Sequence, residues 1–274
     1  MDNITQEVLD VCVLVPYYNN IEGLRKSLNS IEYHTGKFLV LVVDDGSNTP
    51  LTKAEAMRGV NHPVPLHIIK CSVNGGITKA MNTGLRWIQK NLKVKYIARL
   101  DCGDVCRSDR FYKQVEFLYA NTETGLLGCW CKFETEDGTL SYNYTTPTDH
   151  QQILKEMHLR NVFIHPGVIF RSELIESVGS YPEGYEYVED YAFFWNILNV
   201  SKGAVIADFL VTCEINKGGI SISKRKLQLL ARKRIVKVFG TNYLMKQLGI
   251  AKLRLLLLIP YNFILKTKAL ITKY

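Results

Sequence analysis

Apolar positions along the chain alternate between two patterns. Unbroken apolar runs at Val11–Val15 and Phe38–Val43, and the mainly apolar Leu66–Ile69 and Tyr96–Leu100, each stop at polar or turn-forming residues. Short apolar runs bounded in this way read as strands buried on both faces. Between them the spacing becomes helical, with apolar residues at 21, 24, 28 and 31, and again at Ile77, Met81, Leu85 and Ile88 after Asn74-Gly75-Gly76. Strand alternating with helix predicts an α/β fold with an open, mostly parallel sheet and helices on both faces. Beyond residue 104 the pattern predicts helices over 110–120, 151–159 and 189–200, and strands over 126–133, 138–144, 168–171 and 205–214. No internal repeat, low-complexity segment or clear linker interrupts the chain.

Ligands of such sheets bind outside the carboxyl ends of the strands. Three of the first four predicted strands run into polar groups there: Pro16-Tyr17-Tyr18-Asn19, Asp44-Asp45-Gly46-Ser47 and Asp101-Cys102-Gly103-Asp104. Residues 1–10 therefore read as a tail, 11–104 as a Rossmann-like nucleotide-binding half, and 105–215 as the half that completes the site. Residues 216–274 read as a helical tail.

Composition changes this picture in one respect. The net charge of +8 is unevenly placed: 216–274 carries 14 Lys/Arg and no acidic residue, leaving 20 basic against 26 acidic residues before it. An acidic body with a basic tail is not a generally basic protein seeking polyanions. The 47% apolar and 22% charged composition excludes wholesale disorder and a multi-span membrane protein. No stretch approaches the roughly 18–20 apolar residues of a membrane span, and Leu255–Ile259 stops at Pro260. The start, MDNITQEVLD, does not resemble a signal peptide. The seven cysteines fit no zinc template and read as reduced thiols in a cytoplasmic protein.

The acidic turns have two readings each. Asp101 and Asp104, with Gly103 between them, suit a hard divalent cation that keeps waters and bridges phosphates; an Asp- and Gly-rich turn is equally a turn. Asp44 and Asp45 suit hydrogen bonds to a base or ribose. Glu189-Asp190 opens a predicted helix, where carboxylates also favour the dipole. His165 reads either as a contact to an acceptor or phosphate or as a structural histidine in a His-Pro turn. Trp195, amid Tyr191, Phe193 and Phe194, reads as core rather than as a sugar platform.

In combination and in order, Val15-Pro16-Tyr17-Tyr18-Asn19, Val43-Asp44-Asp45-Gly46-Ser47, Asn74 to Asn82, Arg99 to Asp104 and Glu189-Asp190 resemble the family 2 glycosyltransferases of the GT-A fold. The resemblance spans about 11–215. Arg110-Phe111 and His165 to Arg171 are similar to segments of bacterial members that build surface polysaccharides. It implies that Pro16, Tyr18 and Asn19 line the nucleotide, with Asp44 toward the base and Asp45 supporting the loop. Lys79 and Asn82 would sit near the diphosphate or base, and Asp101 near the ribose or metal-bound diphosphate. A divalent cation, Mn2+ or Mg2+, would be held by Asp101 and Asp104. Asp190 matches the catalytic base of an inverting displacement, and Glu189 would orient it or touch the acceptor.

Two positions depart from the pattern. Gly103 stands where the family usually carries its main metal-binding carboxylate, leaving open Asp101 alone, Asp104 in its place, or weaker metal dependence. Met81 stands where many members have Arg, which shifts the phosphate role toward Lys79. A nucleotidyltransferase is the first rival, but Pro16-Tyr17-Tyr18-Asn19-Asn20 is not its Gly-rich basic loop. A non-catalytic nucleotide-sugar-binding module is the second, supported by Gly103.

In the tail, Lys224–Lys226, Arg232–Arg234 and Lys237 interleave with Leu227, Leu230, Ile235 and Val238, and the mixture continues over 244–270. Basic and apolar residues at helical spacing suit interfacial helices on an anionic membrane. The expected partners are thus a UDP- or dTDP-sugar donor, a saccharide or lipid-linked acceptor, and the cytoplasmic membrane face, with peripheral attachment. The aromatic and glycine patterns of nucleic-acid modules are missing.

Overall fold

A computed structural model describes residues 7–215 and 224–259. The strands are β1 (Val8–Tyr17), β2 (Phe38–Asp44), β3 (Leu66–Lys70), β4 (Lys93–Arg99), β5 (Val105–Cys106), β6 (Thr124–Glu134), β7 (Ser141–Tyr144), β8 (Ile169–Arg171) and β9 (Lys202–Glu214). They form one sheet in the order β3-β2-β1-β4-β8-β6-β9-β5, with β7 on β6. Strands β3, β2, β1 and β4 are all parallel, as expected for 11–104. The second half is mixed: β8 runs antiparallel to β4 and β6, β7 pairs antiparallel with β6, and β9 returns parallel to β6. The reason lies in the connections. Helices α1 (Ile21–Asn29) and α3 (Ile77–Asn91) carry the chain over the sheet between parallel strands, whereas β6 and β7 are joined by a short turn that can only reverse direction.

Both faces of the parallel half are covered. Along β1, Cys12 and Leu14 pack with α3, while Val11, Val13 and Val15 pack with α1. That alternation is why the strand is apolar throughout. Met81 on α3 is fully buried in this layer, so the position offers nothing to a phosphate. Gly84 lets α3 approach closely: a Cβ there would stand 2.4 Å from Leu14 Cδ1.

The remaining helices are α2 (Lys53–Met57), α4 (Arg110–Ala120), α5 (His150–Met157), α6 (Leu174–Val178), α7 (Glu189–Leu198), α8 (Arg225–Phe239) and α9 (Tyr243–Leu256). The short α2, α6 and β5 carry too few residues to show a period. Trp195 is fully buried in α7, as its aromatic neighbours suggest. All seven cysteines are free. Helices α8 and α9 pack on the body through Leu229, Ile235, Val236, Ile250 and Leu253. His158 pins their junction, its Nε2 accepting from Thr241 N at 3.1 Å and Asn242 N at 3.2 Å. The segments 216–223 and 260–274 of the expected basic tail lie outside the described residues.

Candidate active site

The loops after β1 and β2 lock together at the carboxyl edge of the sheet. Asn19 adopts a left-handed conformation (φ 48°), donates its N–H to Ser47 Oγ at 3.0 Å, and accepts from Asn48 N at 3.0 Å. Asparagine tolerates that conformation better than bulkier residues do. Tyr18 beside it is exposed, and Pro16 is half-buried at the strand end.

Both aspartates of the second loop are committed to backbone. Asp44 is buried and accepts from Ser47 N (3.0 Å) and Leu51 N (2.8 Å), closing its own turn. Asp45 accepts from Gly75 N (2.9 Å) and Gly76 N (2.8 Å), tying this loop to the entrance of α3. Gly46 (φ 70°) passes so close to that entrance that a Cβ would lie 2.4 Å from the Val73 carbonyl carbon. Lys79 stands exposed on the first turn of α3. Asn82, three residues on, is buried, donating to Tyr181 O at 2.9 Å and accepting from Tyr181 N at 2.8 Å.

At the end of β4 a fully buried arginine organises the centre. Arg99 donates from Nη2 to Asp101 Oδ1 (2.6 Å), from Nε to His165 Nε2 (3.1 Å), and from Nη1 to Leu14 O. His165 Nε2 also bonds the Tyr181 hydroxyl at 2.9 Å. A ring nitrogen that accepts from a guanidinium is unprotonated, so His165 is neutral here. Burial and the Arg99 charge hold its pKa well below the usual histidine value. Residues Asn82, Tyr181, His165, Arg99 and Asp101 therefore form one chain across the site. Arg99 and Tyr181 were given no role by the sequence pattern. A charged residue closing a buried strand was the signal for Arg99.

Gly103 (φ 109°) is buried, and Glu214 Oε2 lies 3.4 Å from where its Cβ would be. Glu214 pairs with Lys26 at 3.0 Å. Asp104 is buried, accepts the Glu214 N–H at 2.8 Å, and is pushed up to about 8, first by burial and then by Asp101. Its carboxyl is thus committed to β9. Among the described residues no group of three or more His, Cys, Asp or Glu is gathered to hold a cation. Asp101 differs: one oxygen is fixed by Arg99, the other makes no hydrogen bond among the described residues, and the side chain is 33% exposed. One oriented carboxylate fits a divalent cation that completes its shell with waters and substrate phosphates.

Across from Asp101, Glu189 and Asp190 open α7. Asp190 is half-buried, accepts from Tyr191 N at 2.7 Å and Asn161 Nδ2 at 3.0 Å, and is raised to about 6, chiefly by burial. Glu189 is buried, its Oε2 has no hydrogen-bond partner among the described residues, and burial followed by the Asp190 charge raises it to about 7. Both carboxylates feel the charge of Asp101. Asn161 was not foreseen; nothing in its sequence context distinguishes it. A separate open cleft, at the opposite ends of β6 and β9, is lined by Glu123, His150, Arg171 and Lys202 and contains none of these groups.

The arrangement resembles known proteins in sequence and fold. An amylovoran biosynthesis glycosyltransferase of Erwinia amylovora is 28% identical over 249 residues, 89% of this chain and 85% of that protein. An Escherichia coli UDP-Gal:α-D-GlcNAc-diphosphoundecaprenol β-1,3-galactosyltransferase is 33% identical over 165 residues, 57% of this chain and 58% of that one. Among solved structures, S. aureus TarS 1–349 in complex with UDP-GlcNAc superposes with a TM-score of 0.63 at 18% identity, covering 89% of this chain and 71% of TarS. The mannosyltransferase PcManGT of Pyrobaculum calidifontis, in complex with GDP-Man and Mn2+, gives 0.64 at 19% identity, covering 90% and 69%. The profile of glycosyl transferase family 2 matches residues 12–179, and the chain belongs to that family.

Proposed function

We propose that this glycosyltransferase moves a sugar from UDP or dTDP to a hydroxyl of a saccharide or lipid-linked acceptor in cell-surface polysaccharide synthesis, with inversion. The observation that carries this is the chain from Arg99 to Asp101 facing the Glu189-Asp190 pair. In this reading the oriented carboxylate serves the donor and the raised carboxylate serves the acceptor. The locked loops at Asn19 and Asp44–Asp45 shape the nucleotide site, with Tyr18 free to lie against the base. Lys79 and the open N–H groups of the first α3 turn face the diphosphate. The free oxygen of Asp101 would hold Mn2+ or Mg2+, which would offset the negative charge of the departing diphosphate. Asp104 supports the turn from within.

Asp190 takes the acceptor proton. Held by Asn161 and the Tyr191 N–H and with a pKa of about 6, it is ionised at neutral pH yet more basic than a free carboxylate. Glu189 stays partly protonated beside it, which limits repulsion between the two. Asn82 and His165 act through Tyr181 and Arg99 rather than on the substrate.

A membrane role for the tail is supported by where apolar surface is exposed: Leu227, Leu230, Val238, Leu244, Leu248 and Leu255 all lie on α8 and α9, amid their Lys and Arg. No helix among the described residues is long and apolar enough to cross a membrane. Each surface cation adds about 1 kcal/mol of attraction to an anionic leaflet, so we assign peripheral attachment to the cytoplasmic face. Flotation with anionic liposomes should be salt-sensitive and lost on deleting 241–274; unaffected binding refutes it. The decisive experiment for the function is a screen of UDP-, dTDP- and GDP-sugars with Mn2+, Mg2+ or EDTA, reading released nucleoside diphosphate. No release from any donor with any acceptor overturns the reading.

A further inference from the structure

One face of α8 packs on the body beside α7. Leu229, Ile235 and Val236 are buried on it, and Gln228 donates from Nε2 to Tyr187 O at 3.2 Å. Arg232 lies four residues after Gln228 and three and four before Ile235 and Val236, so helical spacing places it in the middle of that face. It is half-buried there and makes no hydrogen bond or ion pair among the described residues. A guanidinium has five N–H donors, and on this half-buried residue they remain open to a ligand.

Its surroundings suggest one. The Arg232 charge acts on Asp190, Tyr191, Tyr144 and Lys252. Arg160 approaches the same place from the body, its guanidinium 4.8 Å over the Tyr144 ring and its Nε on Glu156 Oε1 at 2.7 Å. Asn161, the next residue, is the one that holds Asp190. Lys252 on α9 feels Glu156 and both arginines. Arg160 thus pairs with Glu156, while Arg232 and Lys252, from two further elements, lie within electrostatic reach of the same place on the flank of Asp190. The donor contacts assigned above come from other elements and leave these cations unused.

We propose that Arg232, Arg160 and Lys252 form an anion site for the acceptor: it binds a phosphate or diphosphate ester carried by the acceptor sugar, whose hydroxyl then reaches Asp190. Arg232 supplies the unused planar fork that suits two phosphate oxygens. Arg160 is braced by Glu156 and Tyr144, and Lys252 adds a mobile point charge. The site rests on the glycosyl-transfer reading and extends it to the recognition of the acceptor.

The test compares two soluble acceptors with the same sugar, a short-chain alkyl diphosphate ester and a neutral alkyl glycoside. Wild type should favour the diphosphate. Arg232→Ala should raise KM for it by about 10- to 100-fold, as expected on losing a charge-assisted pair, with kcat nearly kept and KM for the neutral glycoside unmoved. Arg232→Lys should recover part of the loss, and Lys90→Ala, an exposed charge on α3, should change neither. Equal kcat/KM for the two acceptors in wild type, or an equal KM rise for both in Arg232→Ala, overturns the proposal. Calorimetry with the alkyl diphosphate sugar gives a readout independent of turnover; Lys252→Ala provides it if Arg232→Ala melts early. Binding that survives both substitutions also overturns it. So does Arg232-dependent binding of inorganic pyrophosphate as tight as that of the sugar ester, which would mark a free-anion site. Failure of the transfer reading looks different: wild type then releases no nucleoside diphosphate with either acceptor.

Discussion

Replacing Asn82 by alanine separates a nucleotide contact from a clamp. In the structure its amide satisfies both backbone groups of Tyr181, at 2.8 and 2.9 Å, inside a buried layer. Alanine leaves one N–H and one C=O without partners. Each buried orphan costs about 1–3 kcal/mol, so the variant should lose about 2–6 kcal/mol of folding stability. For a chain of this size, roughly 2–4 °C per kcal/mol converts that to a fall in Tm of about 4–24 °C. The loss should reach the site as well, because Tyr181 carries the hydroxyl bonded to His165. The assay is thermal melting by circular dichroism, alongside Arg86→Ala, an exposed change one turn along the same helix that should stay within about 0.5 kcal/mol. If Asn82→Ala melts with Arg86→Ala and loses only donor affinity, the clamp is wrong and Asn82 touches the nucleotide.

Asp190→Asn should lower kcat by about 10²–10⁴-fold while UDP binding, measured by calorimetry, stays near wild type; a near wild-type rate in a folded variant refutes the base. The pH profile of kcat should fall on the acid side as the Glu189-Asp190 pair takes up protons, with apparent values between about 6 and 7. Because burial raises both, activity is present above that window and lost below it; a profile flat down to pH 5 contradicts the assignment. His165→Ala removes the acceptor shared by Arg99 and Tyr181, so KM for the donor should rise through a loosened Asp101, and His165→Gln, which restores an acceptor, should recover part of it. A kcat loss with donor KM unchanged would instead place His165 on the acceptor side.

Much of the frame was legible because the buried strands of the parallel half are apolar on both faces and their helices keep a regular period. Val11–Val15 and Phe38–Val43 sit where the pattern put them, and α4 begins and ends at the predicted residues. The mixed second half was less legible. Strand direction there depends on which connection is short, so the strand predicted over 168–171 appears as Ile169–Arg171 but its antiparallel pairing was not legible. The acidic motifs were visible, but their internal hydrogen bonds were not. Nothing in Asp44-Asp45 announces that all four carboxylate oxygens would face backbone N–H groups 2.8–3.0 Å away. Tyr181, Asn161 and Arg232 reach the site from distant segments, and contacts of that range leave no local trace.

The cap that Glu214 places on the Asp101–Asp104 turn has a consequence for the order of assembly. Its N–H reaches Asp104 from 110 residues along the chain, and its carboxylate reaches Lys26 from 188. A nascent chain that has emerged to residue 200 holds every strand of the parallel half but lacks β9. It can build the nucleotide loops from neighbouring contacts and hold the backbone of the Gly103 turn on the Ser27 hydroxyl, while the Asp104 side chain waits for the last strand of the body. Long-range pairing of this kind forms late and slowly. Refolding should therefore show sheet formation ahead of any competence in sugar transfer, with the interval set by the docking of β9.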